Sequence, residues 1–171
     1  MSDTKPPEHQ ISITLTGAEA TARLAMRLAP HLRQGDVVLI EGPIGAGKSH
    51  FCRSLIQHRL AEEGRSEDVP SPTYTLVQVY ELEAVEIWHA DLYRLTTPDE
   101  VFELGLDEAF EQAICLVEWP DRLGDTAPAD ALILRLIPGE DVGMRTALLS
   151  AHSARWDRVI ADLAASGQGR A

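Results

Sequence analysis

Residues 42–49, GPIGAGKS, carry the clearest chemistry in this chain. Two glycines with four residues between them, followed by Lys-Ser, form the pattern of a loop that holds a polyphosphate. Such an anion needs several backbone N–H groups aimed at one point, and the chain reaches that geometry through dihedrals that glycine adopts cheaply. A helix opening at the end of the loop adds its N-terminal dipole and unpaired amides. The amides expected to face phosphate belong to Ile44, Gly45, Ala46, Gly47, Lys48 and Ser49, since Pro43 has no N–H to offer. Lys48 is placed to reach the β- and γ-phosphates, and the Ser49 hydroxyl suits Mg²⁺. By composition alone this pattern arises in fewer than roughly one in a hundred chains of this length. The stretch is therefore read as a nucleotide site, and a chance glycine turn is set aside.

A loop of this kind needs an acid at the exit of a neighbouring buried strand to fix the metal and orient water. Two residues have that placement. Glu118 ends the apolar run AICLVE, and Asp91 ends IWHAD. Both are expected at the edge of the sheet where ligands collect in open α/β folds. Asp91 has a rival reading as a helix cap or a partner of Arg94; for Glu118 the rival is a solvated strand end. His89, inside the same run as Asp91, reads as a core or edge histidine. The hydroxyl-rich segment SPTYT, residues 71–75, fits either a segment that closes on the γ-phosphate and metal or an ordinary turn into a strand.

The elements that must position these groups follow from periodicity. Residues 11–15, ISITL, alternate as a half-buried strand does. Thr16 and Glu19 have the spacing of a capping box, so a helix is predicted to open there, with Leu24, Leu28 and Leu32 as its apolar stripe. Gly35 ends that unit. Residues 37–40, VVLI, suit a strand buried on both faces of a parallel sheet. After the glycine loop a helix is predicted over residues 49–62, with Phe51, Leu55 and Ile56 inward. Residues 76–82 and 85–90 read as a hairpin. Pro98 falls in the first turn of a helix with Thr97 as its N-cap. Residues 113–117 form a second all-apolar strand; ALILRLI and RTALLSA are two later strands, and a last helix covers about 154–165. Helices and strands interleave first and strands cluster later, which predicts a three-layer α/β domain with a mixed, centrally parallel sheet.

Length and composition agree with a single domain. The 171 residues include 44% hydrophobic and 25% charged side chains, near the average for globular proteins. A domain over residues 10–165 is expected between loose ends at 1–9 and 166–171. The formal net charge of -12 argues against strong direct binding of nucleic acid, because an acidic surface repels phosphodiester backbones. No apolar run approaches the length of a membrane span. Cys52 and Cys115 give neither a disulfide framework nor a zinc spacing, so buried thiols in a cytoplasmic protein are expected.

Four ordered motifs together resemble the TsaE (YjeE) family of small P-loop ATPases in tRNA threonylcarbamoyladenosine biosynthesis. They are GxxGAGKS (residues 42–49), SPTYT (71–75), HADLYR (89–94) and LVEWP (116–120), with ELGLDEAF (103–110) between the last two. The resemblance covers about residues 11–151 and implies a P-loop NTPase fold. It implies that the loop binds ATP or ADP with Mg²⁺, that Ser49, Glu118 and Asp91 serve the metal, and that Lys48, Glu118 and Asp91 serve hydrolysis. It makes Thr73 a switch residue, sets Trp119 near the nucleotide, and offers Glu19 and Thr21 as adenine-side candidates. It further implies partnership with TsaD and TsaB, with hydrolysis resetting that complex and slow without it. Two departures stand out: Pro43-Ile44 replaces the Asp/Asn-Leu common in the family, and Ser49 replaces its usual threonine. The rival readings are a P-loop kinase for a small molecule and a nucleotide-gated interaction module with little hydrolysis. A kinase lid rich in arginine finds little support, since Arg122 is the only basic residue between Arg94 and Arg135.

Overall fold

Strands whose side chains are apolar on both faces must be covered on both faces, and that requirement sets the architecture. In the computed structural model, which describes residues 9–167, β2 (Val37–Glu41) is buried through Ile40 and β5 (Ile114–Glu118) throughout. Val38, Ile40, Ile114 and Leu116 face one core; Val37, Leu39, Cys115 and Val117 face a second. Helices α1 (Gly17–Leu28), α2 (Lys48–Glu62) and α5 (Asp157–Gly167) cover the first core with Leu24, Phe51, Leu60 and Ile160. Helices α3 (Asp99–Glu103) and α4 (Leu106–Gln112) close the second with Val101 and Leu106. The expected three layers are present.

The remaining strands are β1 (His9–Thr16), β3 (Val77–Glu81), β4 (Glu86–Asp91), β6 (Leu132–Pro138) and β7 (Met144–Ala151). The seven strands lie in the order β1-β7-β6-β2-β5-β4-β3. The centre, β6-β2-β5-β4, is parallel, whereas β3 against β4 and the run β1-β7-β6 are antiparallel. The mixed, centrally parallel sheet is as the sequence predicts, including the β3–β4 hairpin closed by Leu82 N–H to Val85 O at 3.1 Å. At the opposite edge from the glycine loop, Arg155 grips Asp36 through two contacts of 3.1 and 2.6 Å, tying the entry of α5 to the start of β2. No helix among the described residues is long and apolar enough to cross a membrane.

Several local expectations need correction. Thr16 is the last residue of β1, and its side chain makes no capping bond. Gly17 turns the chain instead, at φ 78°, with its N–H on Gly143 O at 2.8 Å. Glu19 therefore reaches outward toward Arg23 rather than back to the helix start. Pro30 ends α1 at Leu28 through a 3-10 turn, Ala29–His31, so Leu32 reaches the core from beyond the helix. Thr97 does not cap α3; Pro98 precedes its first residue, without a side-chain cap. His9 pairs with Ala151, and Ser166 lies in α5, so the described fold reaches slightly into the expected ends; the rest of those ends, residues 1–8 and 168–171, lies outside the described residues.

Cys52 and Cys115 are both fully buried and unpaired. Burial pushes the Cys115 thiol up to about 12 and Cys52 well above its ordinary value. A disulfide-exchange reagent at pH near 8 is expected to label neither in the folded protein and both after denaturation. The sign for stability follows: the protonated thiol favours the fold below its unfolded value of 9.0, and that contribution fades as pH rises toward about 12.

Candidate functional site

Parallel pairing brings three strand exits to one edge. Glu118 of β5 is in register with Ile40 of β2 on one side and Asp91 of β4 on the other. The chain leaving β2 turns at once into residues 42–47, and α2 begins at Lys48. Gly45 and Gly47 adopt φ of 82° and 102°, where any other residue would be strained, and Gly47 is the N-cap of α2 in the left-handed region. Ala46, fully buried, plugs its methyl into the core and anchors the loop from beneath. The helix start thus opens onto the two acids. That arrangement is what a polyphosphate site requires.

The side chains lock together closely. Lys48 is only 6% exposed, and its Nζ donates to Gly42 O at 2.6 Å and Pro43 O at 2.8 Å. The same nitrogen sits 4.3 Å from the centre of the Trp119 ring. Burial lowers the Lys48 pKa, against the opposing pull of Glu118 and then Asp91. The Ser49 hydroxyl donates to Glu118 Oε1 at 2.9 Å. His89 Nε2 lies 2.7 Å from Glu118 Oε2, an N–H···O bond in the tautomer that protonates Nε2. Asp91 Oδ1 accepts from the Tyr93 N–H at 3.1 Å, and burial pushes the Asp91 carboxyl above its ordinary value. Among the described residues Asp91 forms no ion pair with Arg94, so that rival reading of the aspartate has no support.

A cleft of about 420 Å³ opens over these groups. Of the sequence-predicted residues, Ile44, Gly45, Gly47, Lys48, Ser49, Thr73, Asp91, Glu118 and Trp119 line it. Ala46 lies in the core beneath and offers only its backbone. The adenine-side candidates are not brought there. Thr21 is fully buried in α1 with its hydroxyl unpartnered among the described residues, and the Glu19 side chain is 94% exposed. Helical phase explains this, since Thr21 shares the inward face of α1 with Leu24, Ala25 and Leu28.

Two cleft residues were not singled out from the sequence, and a third residue, His89, reads there only as a core or edge histidine. His50 and Tyr93 line the cleft, and His89 stands behind it against Glu118. Tyr93 could have been found from its place in HADLYR, two residues beyond Asp91. His89 reads as a plain core residue until the register of β4 with β5 sets it beside Glu118. Trp119 has φ 58° and ψ 53°, a left-handed conformation that costs a non-glycine residue about 1–2 kcal/mol. This turn lays its ring against both Lys48 and Tyr93, the latter at 4.8 Å between ring centres.

The donor set fits the ligands the loop suggests. Hydroxyl and carboxylate oxygens of Ser49 and Glu118 stand side by side, with Asp91 on the next strand, which is hard oxygen chemistry suited to Mg²⁺. Positive-φ glycines and the start of a helix give the amide nest for phosphate.

Comparison with known proteins gives a consistent result. The sequence model of the family described as "Threonylcarbamoyl adenosine biosynthesis protein TsaE" matches residues 15–146. A Rickettsia felis protein named tRNA threonylcarbamoyladenosine biosynthesis protein TsaE is 41% identical over 109 residues, covering 64% of this chain and 62% of that protein. The Bacillus subtilis protein of the same name is 32% identical over 160 residues, covering 88% of this chain and 98% of the relative. The crystal structure of Bacillus subtilis YdiB superposes with a TM-score of 0.76 at 26% identity, covering 92% of this chain and 96% of that one.

Proposed function

The chain belongs to the TsaE family of tRNA threonylcarbamoyladenosine biosynthesis, and from that premise we propose that it is a Mg²⁺-dependent ATPase serving the TsaB–TsaD complex. The observation that carries the reading is the Ser49–Glu118 contact of 2.9 Å at the mouth of a glycine loop. It supports a phosphate nest and a metal-binding pair sharing one cleft.

In this reading the amides of residues 44–49 and the Lys48 ammonium hold the β- and γ-phosphates. Ser49 and Glu118 hold Mg²⁺, with Asp91 beside them. When bound, Mg²⁺ neutralises phosphate charge and orients the terminal phosphate. Glu118 and Asp91, at adjacent strand exits, position the attacking water, and one of the two carboxylates takes up its proton as the terminal phosphoryl bond to the diphosphate breaks. ATP and water thus give ADP and phosphate by positioning and electrostatics, with no covalent enzyme intermediate. His89 fixes the Glu118 carboxylate from behind, and Trp119 with Tyr93 walls one side of the cleft. Thr73 lies on an exposed segment facing the same space, placed for a loop that closes on the terminal phosphate.

The rim supports a role for partners. Ile44, which lines the cleft, and Tyr74, which follows the cleft residue Thr73 in the chain, are 76% and 87% exposed and would be buried by a docked protein. The charge of -12 fits a protein that leaves RNA contact to its partners. The test is phosphate release by the chain alone and with TsaB and TsaD added. Slow release alone, accelerated about tenfold or more by both partners together, is expected for a partner-gated NTPase. Partner-independent turnover, or phosphorylation of a small acceptor, would replace this function with that of a free-standing ATPase or a kinase.

A further inference from the structure

Cys52 and Cys115 lack a zinc spacing along the chain, but the fold gives Cys52 neighbours that spacing does not show. Side chains two apart on a strand share a face of the sheet, and so do residues in register on neighbouring strands. His89 therefore faces the same side as Leu116 opposite it, and as Glu118 two residues further on. Helix α2 covers that side, and its first turns carry Ser49 and, three residues later, Cys52. The Cys52 sulfur, a His89 ring nitrogen and a Glu118 oxygen all lie within 4.8 Å of one another, the one such group of potential metal ligands among the described residues. All three side chains are buried. Cys115 faces the second core, on the other side of the sheet.

This donor set differs from the one offered to Mg²⁺. Magnesium takes hard oxygens, whereas a thiolate with imidazole and carboxylate suits Zn²⁺. The charges also balance. Zn²⁺ with one thiolate, one carboxylate and a neutral imidazole is neutral overall, which a buried place accepts far better than an isolated charge. Glu118 lines the cleft, so an ion has a way in past its carboxylate. The Ser49 hydroxyl, 3.2 Å from Glu118 Oε2, stands beside the position a fourth ligand would take.

We propose that Cys52, His89 and Glu118 form a second metal site, for Zn²⁺, which captures Glu118 from the Mg²⁺ site and so switches hydrolysis off. A tetrahedral zinc holds its ligand atoms about 3.5 Å apart. The His89–Glu118 pair opens from 2.7 Å to admit it, and the sulfur closes in. Bonds form from sulfur, nitrogen and oxygen to the metal, the thiol proton leaves to solvent, and no electron is transferred. His89 Nδ1 has no partner among the described residues, so the ring lacks the outer hydrogen bond that adds about 10- to 100-fold to the affinity of zinc histidines. Occupancy therefore follows the free metal concentration, as a switch requires. The site stands apart from the ATPase reading; its effect on hydrolysis rests on that reading.

Co²⁺, a coloured substitute for Zn²⁺, tests the site in the reduced full chain. It is expected to give a sulfur-to-metal charge-transfer band in the near ultraviolet, saturating at one Co²⁺ per chain and bleached by Zn²⁺. Cys52→Ser should lose the band and Cys115→Ala should keep it, with thermal melts to check both folds. The chain has two cysteines, so a band that survives Cys115→Ala belongs to Cys52 even where Cys52→Ser does not fold. No band in the folded wild type, or none in folded Cys115→Ala, overturns the site, as does a band that persists in Cys52→Ser. Phosphate release gives the second readout. At a buffered free Zn²⁺ concentration that saturates the wild type, its hydrolysis is expected to fall at least about tenfold, and that of Cys52→Ser less than about twofold. Equal inhibition of both, or of neither, overturns the switch. A wild type that releases no phosphate without Zn²⁺, even with TsaB and TsaD, overturns the ATPase reading and the switch with it, while the cobalt band still decides the site.

Discussion

Lys48→Ala is expected to lower the affinity for Mg·ATP by about 100-fold, the cost of losing a charge-assisted contact worth roughly 3 kcal/mol. The expectation comes from how the side chain is held. Lys48 Nζ already bonds two loop carbonyls, Gly42 O and Pro43 O, so the ammonium is fixed above the nest and need not be ordered when phosphate arrives. The Trp119 ring at 4.3 Å restricts it further. Stability should respond far less than affinity. Removing Lys48 forfeits those bonds but also relieves the burial that lowers its pKa. Calorimetry should therefore show weak or no binding by a variant that still melts cooperatively; near-normal affinity would remove Lys48 from the site. A proton signature accompanies the same residue. Burial lowers the pKa of the unliganded lysine, and a polyphosphate beside it raises the pKa again. At alkaline pH, between those two values, binding takes up a proton, so the measured heat should vary with the ionisation enthalpy of the buffer; Lys48→Ala should abolish that dependence.

The parts of this molecule legible in the sequence are those where one residue type answers one local demand. Glycines at 45 and 47 answer a need for positive φ, and the unbroken runs of β2 and β5 answer burial on both faces. The loop, both acids and the layered sheet follow from such demands. Contacts that depend on register or on crossovers were not legible. His89 meets Glu118 only because β4 and β5 align with Asp91 opposite Glu118. Arg145 reaches Gly45 across a separation of 100 residues, through a β6–β7 return that periodicity alone does not place. Thr16 shows the opposite failure. Its spacing to Glu19 suits a cap, but pairing with Met144 extends β1 through it and hands the turn to Gly17. Ladder pairing outweighed a single capping bond.

Glu118→Gln is expected to keep Mg·ATP affinity within about threefold of wild type while slowing hydrolysis by roughly 100- to 1000-fold, the range for losing a positioned acid–base or electrostatic group. The substitution preserves shape in a fully packed place, since Glu118 is 2% exposed. Ser49 can still donate to the amide oxygen from its present position 2.9 Å from Oε1. The other carboxylate oxygen faces His89 Nε2 at 2.7 Å, where the amide nitrogen would now point. In the tautomer that carries its proton on Nδ1, which is buried without a partner among the described residues, His89 presents Nε2 as the acceptor for that amide. The nest therefore survives, while the charge beside the terminal phosphate is gone. The change also reaches Asp91, because Glu118 is among the influences that raise its pKa, after burial; losing that charge makes Asp91 easier to ionise. If Asp91 alone oriented water, Glu118→Gln would leave turnover intact or improve it. Single-turnover phosphate release set beside calorimetry separates the two. Retained binding with lost chemistry assigns the step to Glu118, whereas wild-type turnover moves it to Asp91.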